Sequence, residues 1–512
     1  MNLKRIKSLC IFAFIAIIPG ISSQASSNSN HYFDLTIEEL MDIKVTTASK
    51  NEEKLFESAS ATYVITSEDI RRAGATSIPE ALRLAPGLHV ARIDSNKWAI
   101  TARGFNRQFS NKLLVLFDGR SVYTPLFSGV YWDSQDYILE DIERIEVIRG
   151  PGASLWGANA VNGVINIITK KAKDTQGQYV SALAGNYDKH AFEYRYGDKT
   201  KNNAHYRVYA KSFEVDETKN LDGLGSNDQW QMNRVGFKME TDENKSDIYY
   251  IQGDIYSGVQ DQIFFLPQES VTTLLKRDGD EDMQGGNIVV KLNREFDEDT
   301  HLDITSYFDY EKRYFPILKQ SRSTFNIDAQ YSFKANDSNS TMIGTEYRNI
   351  HDNLEKTTIN STSYLAYDPA VLTYEILSAF IQNKTELQPN KMFLTLGSKF
   401  DYNDFTGFEV QPTIRMSYLP SESHHFWSAV SRAVRTPTRG EDGISLIALS
   451  GYTAQVGSKQ YDSEKLTAYE LGYKFNNNRN LSFDVTAFYN DYSDLRTQQL
   501  RDGGCSLQFV TI

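Results

Sequence analysis

Two hydrophobic patterns divide the chain at about residue 176. Before that point, within residues 51–175, short apolar runs alternate with helix signals. Ser67–Arg72 and Ser77–Leu84 each begin with a residue suited to capping a helix, and Pro86-Gly87 ends the second. Short apolar runs predict three strands, at Leu113–Phe117, Ile142–Arg149 and Val164–Thr169. The pattern predicts a small α+β domain.

Residues 176–512 instead alternate apolar and polar positions. Phe192, Tyr194 and Tyr196 alternate with Glu193 and Arg195. Segments of about ten residues with a period of two, separated by polar turns, are typical of the wall of a transmembrane β-barrel. A soluble β-sandwich or propeller remains the alternative, because each strand signal is weak by itself. Long loops are predicted at residues 216–229, 260–284 and 349–367.

The amino terminus has the order of a secretory signal peptide. Lys4, Arg5 and Lys7 precede an apolar run, Leu9–Ile18, and small residues lead to Ala25. An uncleaved anchor is the alternative. No later segment offers about 18 consecutive apolar residues. Residues 1–25 are therefore predicted to be removed on export, which leaves one cysteine and no disulfide framework.

Composition excludes several kinds of function. The net charge of -12 argues against nucleic acid as a partner, because a polyanion would be repelled. The 30 Tyr and 28 Phe suit membrane–water interfaces. Gly150-Pro151-Gly152 is not a phosphate-binding loop, because no Gly-Lys-Ser/Thr follows it. No catalytic, metal-binding or cofactor-binding motif was found, so an enzyme is not expected.

Three runs in the first domain carry the most specific motif. Ala102-Arg103-Gly104-Phe105 precedes Leu114–Tyr123, and the Gly-rich run Ile142–Ile168 follows. Their order and spacing resemble the plug domain of TonB-dependent receptors. The charged positions of the strand at Ile142–Ile148 are expected to face the barrel wall, and the glycines to permit tight turns. The motif residues are Arg103, Gly104, Asp118, Gly119, Arg144, Glu146, Arg149, Gly150, Gly152, Gly157, Asn162 and Gly163.

The resemblance implies a mainly β protein, with a small α+β plug (51–175) inside an antiparallel transmembrane β-barrel (176–512) in the outer membrane of a Gram-negative bacterium. Segments 428–438, 464–472 and 487–495 are similar to late barrel strands of the family. The family barrel has about 22 strands. Residues 176–512 suffice for roughly 14–16 strands, so an incomplete barrel is expected. A truncated remnant that does not transport is one alternative.

A short segment before the plug resembles the TonB box, within a periplasmic leader at residues 26–50. Such a β-prone peptide of low charge can add itself to the edge of a partner's sheet. The implied partner is TonB, the periplasmic energy transducer. An ordinary first strand of the domain is the alternative. The segment comprises Asp42, Ile43, Lys44, Val45, Thr46, Thr47 and Ala48.

The resemblance also implies energy-coupled uptake of a scarce extracellular ligand. A ferric siderophore is the first expectation and cobalamin the second; a passive porin or adhesin is the alternative. Aromatic and Arg side chains anchor large ligands well, although the same rings could simply pack the plug against the wall. The expected ligand-binding residues at the plug apex are Arg92, Asn96, Trp98, Tyr123, Phe127, Tyr131 and Trp132.

Overall fold

The computed structural model describes residues 43–241, 246–267, 274–359, 363–447, 453–477, 481–500 and 507–511. The predicted signal peptide (1–25) and the leader as far as Asp42 lie outside these residues. Within the described residues, no helix has the length and apolar character needed to cross a bilayer.

The first domain, here called the plug, is built on a mixed sheet of 5 strands in the order β3-β10-β11-β6-β7. Among the described strands of this sheet, only β11 and β6 pair in parallel. The strands of the whole plug are β1 Lys44–Val45, β2 Glu53–Lys54, β3 Thr62–Thr66, β4 Leu88–Arg92, β5 Trp98–Ala102, β6 Leu113–Phe117, β7 Arg120–Ser121, β8 Tyr123–Thr124, β9 Gly129–Val130, β10 Ile142–Arg149 and β11 Gly163–Thr169. Its α-helices are α1 Ser67–Ala73, α2 Ile78–Leu82 and α3 Ala153–Trp156, and its 3-10 helices are Trp132–Ser134, Leu139–Asp141 and Ala172–Thr175.

The three strands and two helices predicted from the sequence are present in the plug. The capping residue of α1 is Thr66, one position before the predicted start, because its hydroxyl accepts from the Asp69 backbone while the Asp69 carboxylate accepts in return. Ser77 caps α2 as predicted, and Pro79 lies in its first turn. Alternate residues of β10 and β11 are completely buried and form the plug core.

The second domain is an antiparallel sheet of 15 strands, within the predicted range. Each strand pairs with the next along the chain, apart from short strands in the long loops. Within the described residues β12 and β29 are not paired with each other. Its strands are β12 Gly177–Ala184, β13 Asp188–Lys199, β14 His205–Val215, β15 Trp230–Glu240, β16 Asp247–Pro267, β17 Leu274–Asp297, β18 Thr300–Phe315, β19 Leu318–Asn336, β20 Asn339–Lys356, β22 Val371–Gln388, β23 Met392–Asn403, β24 Gly407–Ser421, β25 His424–Arg435, β28 Glu464–Asn476 and β29 Ser482–Ser493.

The large sheet has the polarity of a membrane barrel, with apolar side chains outside and charged side chains inside. On β18, Phe308 is 46% exposed and Tyr310 is also exposed, while Glu311 and Arg313 are buried against the plug. Because water-soluble sheets bury the apolar face instead, this inverted pattern indicates a wall between lipid and a polar interior.

The two ends of the barrel differ. At the short-turn end, neighbouring strands are joined by tight turns such as the one between β17 and β18; at the long-loop end several are joined by longer segments, such as residues 216–229 between β14 and β15. A small sheet lies among these segments, in the order β21-β26-β27-β31-β30. Its strands are β21 Leu365–Tyr367, β26 Ile444–Ile447, β27 Thr453–Val456, β30 Arg496–Leu500 and β31 Leu507–Thr511, and α4 Arg439–Gly443 precedes β26.

Two of the three predicted long loops are largely strand. Most of residues 216–229 is loop, as predicted, but residues 260–267 and 274–284 belong to β16 and β17, and β20 extends to Lys356. The prediction was wrong there because polar residues on both faces were interpreted as loop. Strands that extend past the apolar band are polar on both faces, since both face water.

Gly163 lies at a position of the plug sheet that has no room for a side chain. A Cβ at this position would lie 2.4 Å from the carbonyl oxygen of Ile148 and 2.9 Å from Leu113 Cδ2. Gly163→Ala should therefore destabilise the plug by roughly 1–3 kcal/mol, measured as trypsin cleavage of the plug at lower urea concentration. Gly397→Ala, where the nearest atom would lie 3.4 Å away, is the control. Equal sensitivity of the two variants would contradict this account.

Candidate functional site

A pocket of about 690 Å³ opens at the long-loop end, between the apex of the plug and the barrel wall. Rings and amide groups dominate the plug side, and the loops that follow β20 and β25 supply part of the opposite wall. The plug residues lining it are Asn96, Lys97, Trp98, Arg107, Gln108, Phe109, Leu126, Phe127, Val130, Tyr131, Trp132 and Asp133. This set offers a large ligand both apolar surface and hydrogen-bonding groups.

The aromatic wall of the pocket is formed by the hairpin β8–β9 and the 3-10 helix after it. Ser128 adopts a positive φ of 59°, which turns the hairpin. The ring of Phe127 contacts Tyr131 edge to face, with centroids 5.1 Å apart, and lies 5.0 Å from Phe109. The three rings thus form a connected surface rather than separate contacts.

The guanidinium of Arg313 anchors this part of the plug to the barrel. It donates to both carboxylate oxygens of Asp133, at 2.6 and 3.0 Å, to Glu281 at 2.7 Å and to Glu311 at 2.9 Å. It also lies 3.8 Å from the centroid of the Tyr131 ring. Arg313 is 1% exposed, so its charge is balanced entirely by these neighbours.

Burial dominates the electrostatics of the pocket. It raises the pKa of the Tyr131 phenol well above its ordinary value, although the nearby Arg313 opposes the shift. Burial, together with the charges of Arg496 and Arg435, lowers the pKa of Arg107 to about 10. Arg107 therefore remains a cation at neutral pH and offers its guanidinium to the pocket.

The structure brings together five of the seven residues expected at the apex: Asn96, Trp98, Phe127, Tyr131 and Trp132 line the pocket. It does not place Arg92 or Tyr123 there. Arg92 donates to the Tyr187 hydroxyl at 2.5 Å and borders a separate cavity of about 340 Å³. The Tyr123 hydroxyl is hydrogen-bonded to Ser128 at 2.9 Å, inside the hairpin.

Sequence reasoning missed Arg107, Phe109 and Arg313. Arg107 and Phe109 lie in the loop directly after the Arg103-Gly104-Phe105 motif, and this proximity could have indicated them. Arg313 could have been found only from the strand pattern of β18, in which Glu311 and Arg313 share the inner face.

At the opposite end, the segment expected to be the TonB box is folded into a short hairpin. β1 pairs antiparallel with β2, and Val45 is completely buried. The Glu146 carboxylate accepts from the backbone N–H groups of Thr46 and Thr47, at 3.0 and 2.8 Å, and from the Thr47 hydroxyl at 2.5 Å. Glu146, expected to face the barrel wall, instead binds this segment; that expectation was wrong because the hairpin occupies the space beside β10.

Further contacts hold the hairpin between plug and wall. The Trp156 indole donates to the Thr47 carbonyl at 2.8 Å, and the Asn166 amide donates to the Thr47 hydroxyl at 3.0 Å. Lys50 lies between the rings of Trp156 and Phe380, 4.9 and 4.5 Å from their centroids. Burial lowers the pKa of Lys50, although Asp328, 3.4 Å away, opposes the shift. Asp42 lies outside the described residues.

The Arg residues of the plug motif make structural contacts. Arg103 donates to Glu470 of the barrel at 2.6 Å and to the carbonyl of Arg149 at 2.7 Å. Arg149 donates to the carbonyl of Pro86 at 3.0 Å. Arg144 donates to Glu146 at 2.8 Å. Together they join the plug sheet to the wall and to the hairpin.

The remaining motif residues shape turns. Asp118 and Gly119 follow β6 with positive φ, and the Asp118 carboxylate accepts from the Thr169 N–H at 2.9 Å. Burial would raise the pKa of Asp118, but Lys238, Lys291 and the Thr169 hydrogen bonds lower it below its ordinary value. Three further motif glycines with positive φ are Gly104, Gly150 and Gly157. Gly152 packs against Val164, Gly163 fits between β10 and β6, and the Asn162 amide donates to the Ala102 carbonyl.

Comparison with known proteins agrees with this architecture. The family described as TonB-dependent Receptor Plug Domain matches residues 54–164. The family described as TonB dependent receptor-like, beta-barrel matches residues 156–512. The vitamin B12 transporter BtuB of Vibrio vulnificus (strain CMCP6) is 35% identical over 146 residues, which are 28% of this chain and 23% of the relative. The match therefore spans less than a quarter of that relative's length.

Solved structures share the fold. A mutant of the ferric enterobactin receptor PfeA from Pseudomonas aeruginosa superimposes with a TM-score of 0.72 and 17% identity, over 92% of this chain and 77% of that one. The siderophore receptor PirA from the same organism gives 0.66 and 19%, over 88% and 78%. The ferric yersiniabactin uptake receptor FyuA from Yersinia pestis gives 0.68 and 13%, over 86% and 73%. The plug, the inverted sheet and the family matches together establish that the chain belongs to the TonB-dependent receptors, which are outer-membrane transport receptors and not enzymes.

Proposed function

We propose that the chain is an active-transport receptor that captures a scarce extracellular ligand and delivers it to the periplasm with energy transmitted by TonB. One observation carries the proposal: the expected ligand residues and the expected TonB box lie at opposite ends of one plug. A pocket at the long-loop end faces the medium in this arrangement, and a hairpin at the short-turn end faces the periplasm.

A ferric siderophore is the first ligand class proposed, and cobalamin the second. The connected rings of Phe109, Phe127 and Tyr131 suit a large, partly apolar ligand, and the Arg107 guanidinium suits one that also carries negative charge. Siderophore receptors are among the structural neighbours, and a vitamin B12 transporter is among the sequence relatives. The pocket is large enough to cover part of such a ligand.

The plug sheet provides the physical link between the two ends. The apex hairpin begins at Tyr123, two residues after β7, and β7 pairs with β6. β6 pairs with β11, and β11 with β10, which carries Glu146. A ligand that moves the apex therefore shifts the sheet, and with it Glu146, the residue that binds Thr46 and Thr47. Release of these residues gives TonB a free strand to pair with.

Deletion of residues 43–48 tests energy coupling. We expect cells producing the deleted receptor to bind ferric enterobactin or cyanocobalamin as before but to lose uptake, because no strand remains for TonB to pull. Uptake of iron or cobalt radiolabel by cells is the measurement. Lys44→Ala, which removes only the exposed pair with Glu52, is the control and should retain uptake. Uptake that survives the deletion would indicate a passive pore.

Glu146→Gln tests the hydrogen bonds that bind Thr46 and Thr47 of the box to β10. Glutamine keeps the size of the side chain but loses its charge, and hydrogen bonds to a charged group contribute roughly 1.5–3 kcal/mol each. We expect the box to be free roughly tenfold more often without ligand, measured by the mobility of a nitroxide at position 44. Glu143→Gln on the same strand is the control, since Glu143 contacts Arg144 and no described residue of the box. Equal mobility in both variants would contradict a role for these hydrogen bonds.

Arg313→Gln tests the anchoring of the apex. The change leaves the carboxylates of Asp133, Glu281 and Glu311 without their shared cation, so the aromatic hairpin should loosen. We expect at least tenfold weaker ligand binding to purified receptor. Lys319→Gln on β19, whose partner Glu355 is exposed, is the control, because exposed pairs contribute about 0–1 kcal/mol. An unchanged affinity in Arg313→Gln would exclude a role for the anchor.

A further inference from the structure

A second large cavity, of about 920 Å³, lies between the plug and the barrel towards the short-turn end. Its plug wall is formed by β6, β10 and β11, and its barrel wall by β17–β20 and β23. Polar and charged groups dominate it, unlike the aromatic outer pocket. The ionisable barrel residues lining it are Lys291, Arg294, Glu295, Asp297, Glu298, His301, Asp303, Asp328, Glu346, Arg348 and Lys399.

The inner face of β18 connects this cavity with the outer pocket. Thr305 and Tyr307 line the inner cavity, and Arg313 lines the outer pocket. Between them on the same face lie Asp309 and Glu311, which line neither. The two cavities are therefore separated by the height of two inward-facing residues.

A plug residue closes this gap. Arg120 donates to Asp309 at 2.6 Å and to the Tyr137 hydroxyl at 3.0 Å, and it is buried. Arg322 of the barrel forms ion pairs with Glu311, 2.9 Å away, and with Asp309, 3.6 Å away. The barrier consists of one plug cation set among barrel charges of both signs.

Moving this barrier would leave the plug core intact. Arg120 belongs to β7, a strand of two residues at the edge of the plug sheet, and it follows the turn at Gly119. Asp309 would keep Arg322 as a neighbouring cation if Arg120 moved away, so no uncompensated carboxylate would remain. At the short-turn end of the cavity, Thr46 and Lys50 line its wall. Both belong to the hairpin β1–β2, here called the box hairpin. Extraction of the box hairpin would widen the opening of the cavity at this end.

We propose that the ligand crosses the barrel through this cavity, with Arg120 and Asp309 as the inner barrier and the box hairpin as the lower gate. The proposal rests on the proposed transport function and adds the route. The plug core β3-β10-β11-β6 stays folded in the barrel during passage. The charged walls favour a hydrated, polar passenger, which loses its contacts with the outer rings as it enters.

The test is the KCl conductance of the full receptor in planar lipid bilayers, because it needs neither the ligand nor TonB. Arg120→Gln should raise the conductance at least tenfold over the unchanged receptor. Arg103→Gln removes the matched buried plug–barrel pair with Glu470, also 2.6 Å long, and should leave the conductance unchanged. If Arg120→Gln does not fold, as shown by the lack of a heat-modifiable barrel, Asp309→Asn replaces it. This variant removes the same ion pair from the barrel side and should raise the conductance equally.

A thiol probe shows where the current flows. In an Arg120→Gln, Cys505→Ser background, a methanethiosulfonate reagent should reduce the conductance of Thr305→Cys by at least half. It should not affect Asn202→Cys, which is exposed in the turn after β13. A leak of equal size in Arg103→Gln, no leak in either barrier variant, or a leak insensitive to the thiol at 305 would overturn the route. If cells producing the unchanged receptor take up no ligand, the transport function is refuted. The conductance results do not depend on that outcome.

Discussion

The structure depends on charge pairing between the plug and the inner face of the barrel. A wall that presents apolar side chains to lipid must turn its charged side chains inward, where they lose water when a plug fills the space. Each of those charges needs a partner on the plug or on a neighbouring strand. Among the plug–barrel pairs that meet this need are Lys112 with Glu464, Asp141 with Arg195, and Asp133 with Arg313. The plug thus fits by charge as much as by shape.

These pairs differ in how much depends on them. Arg313 is surrounded by three carboxylates, one from the plug and two from the barrel, so its removal leaves several charges unbalanced. Asp309 has a second cation of the barrel near it, so one cation remains beside it when its plug partner moves away. Fixed and movable contacts therefore coexist on one interface, and this difference allows a plug to be both firmly seated and locally opened.

The sequence predicted the fold better than the site. The plug strands follow from local apolar runs, and the barrel from alternation, because both depend on neighbours along the chain. The outer pocket depends on residues far apart in sequence: Asn96 and Trp98 were expected from the same apex loops as Arg92, yet Arg92 borders a separate cavity. Glu146 was misassigned because nothing in its strand reveals that the hairpin lies beside it. Arg313 is visible only once β18 has been placed beside the plug.

The direction of the hairpin β1–β2 has a mechanical consequence. The Ile43 carbonyl accepts from the Leu55 N–H at the open end of the hairpin, and the chain continues from Ile43 towards the amino terminus. A force applied there separates the two strands one hydrogen bond at a time, like a zipper. The strands of the plug sheet, loaded along their length, would have to break several bonds at once. The pairing of β1 with β2 therefore yields to a smaller force than the plug sheet behind it.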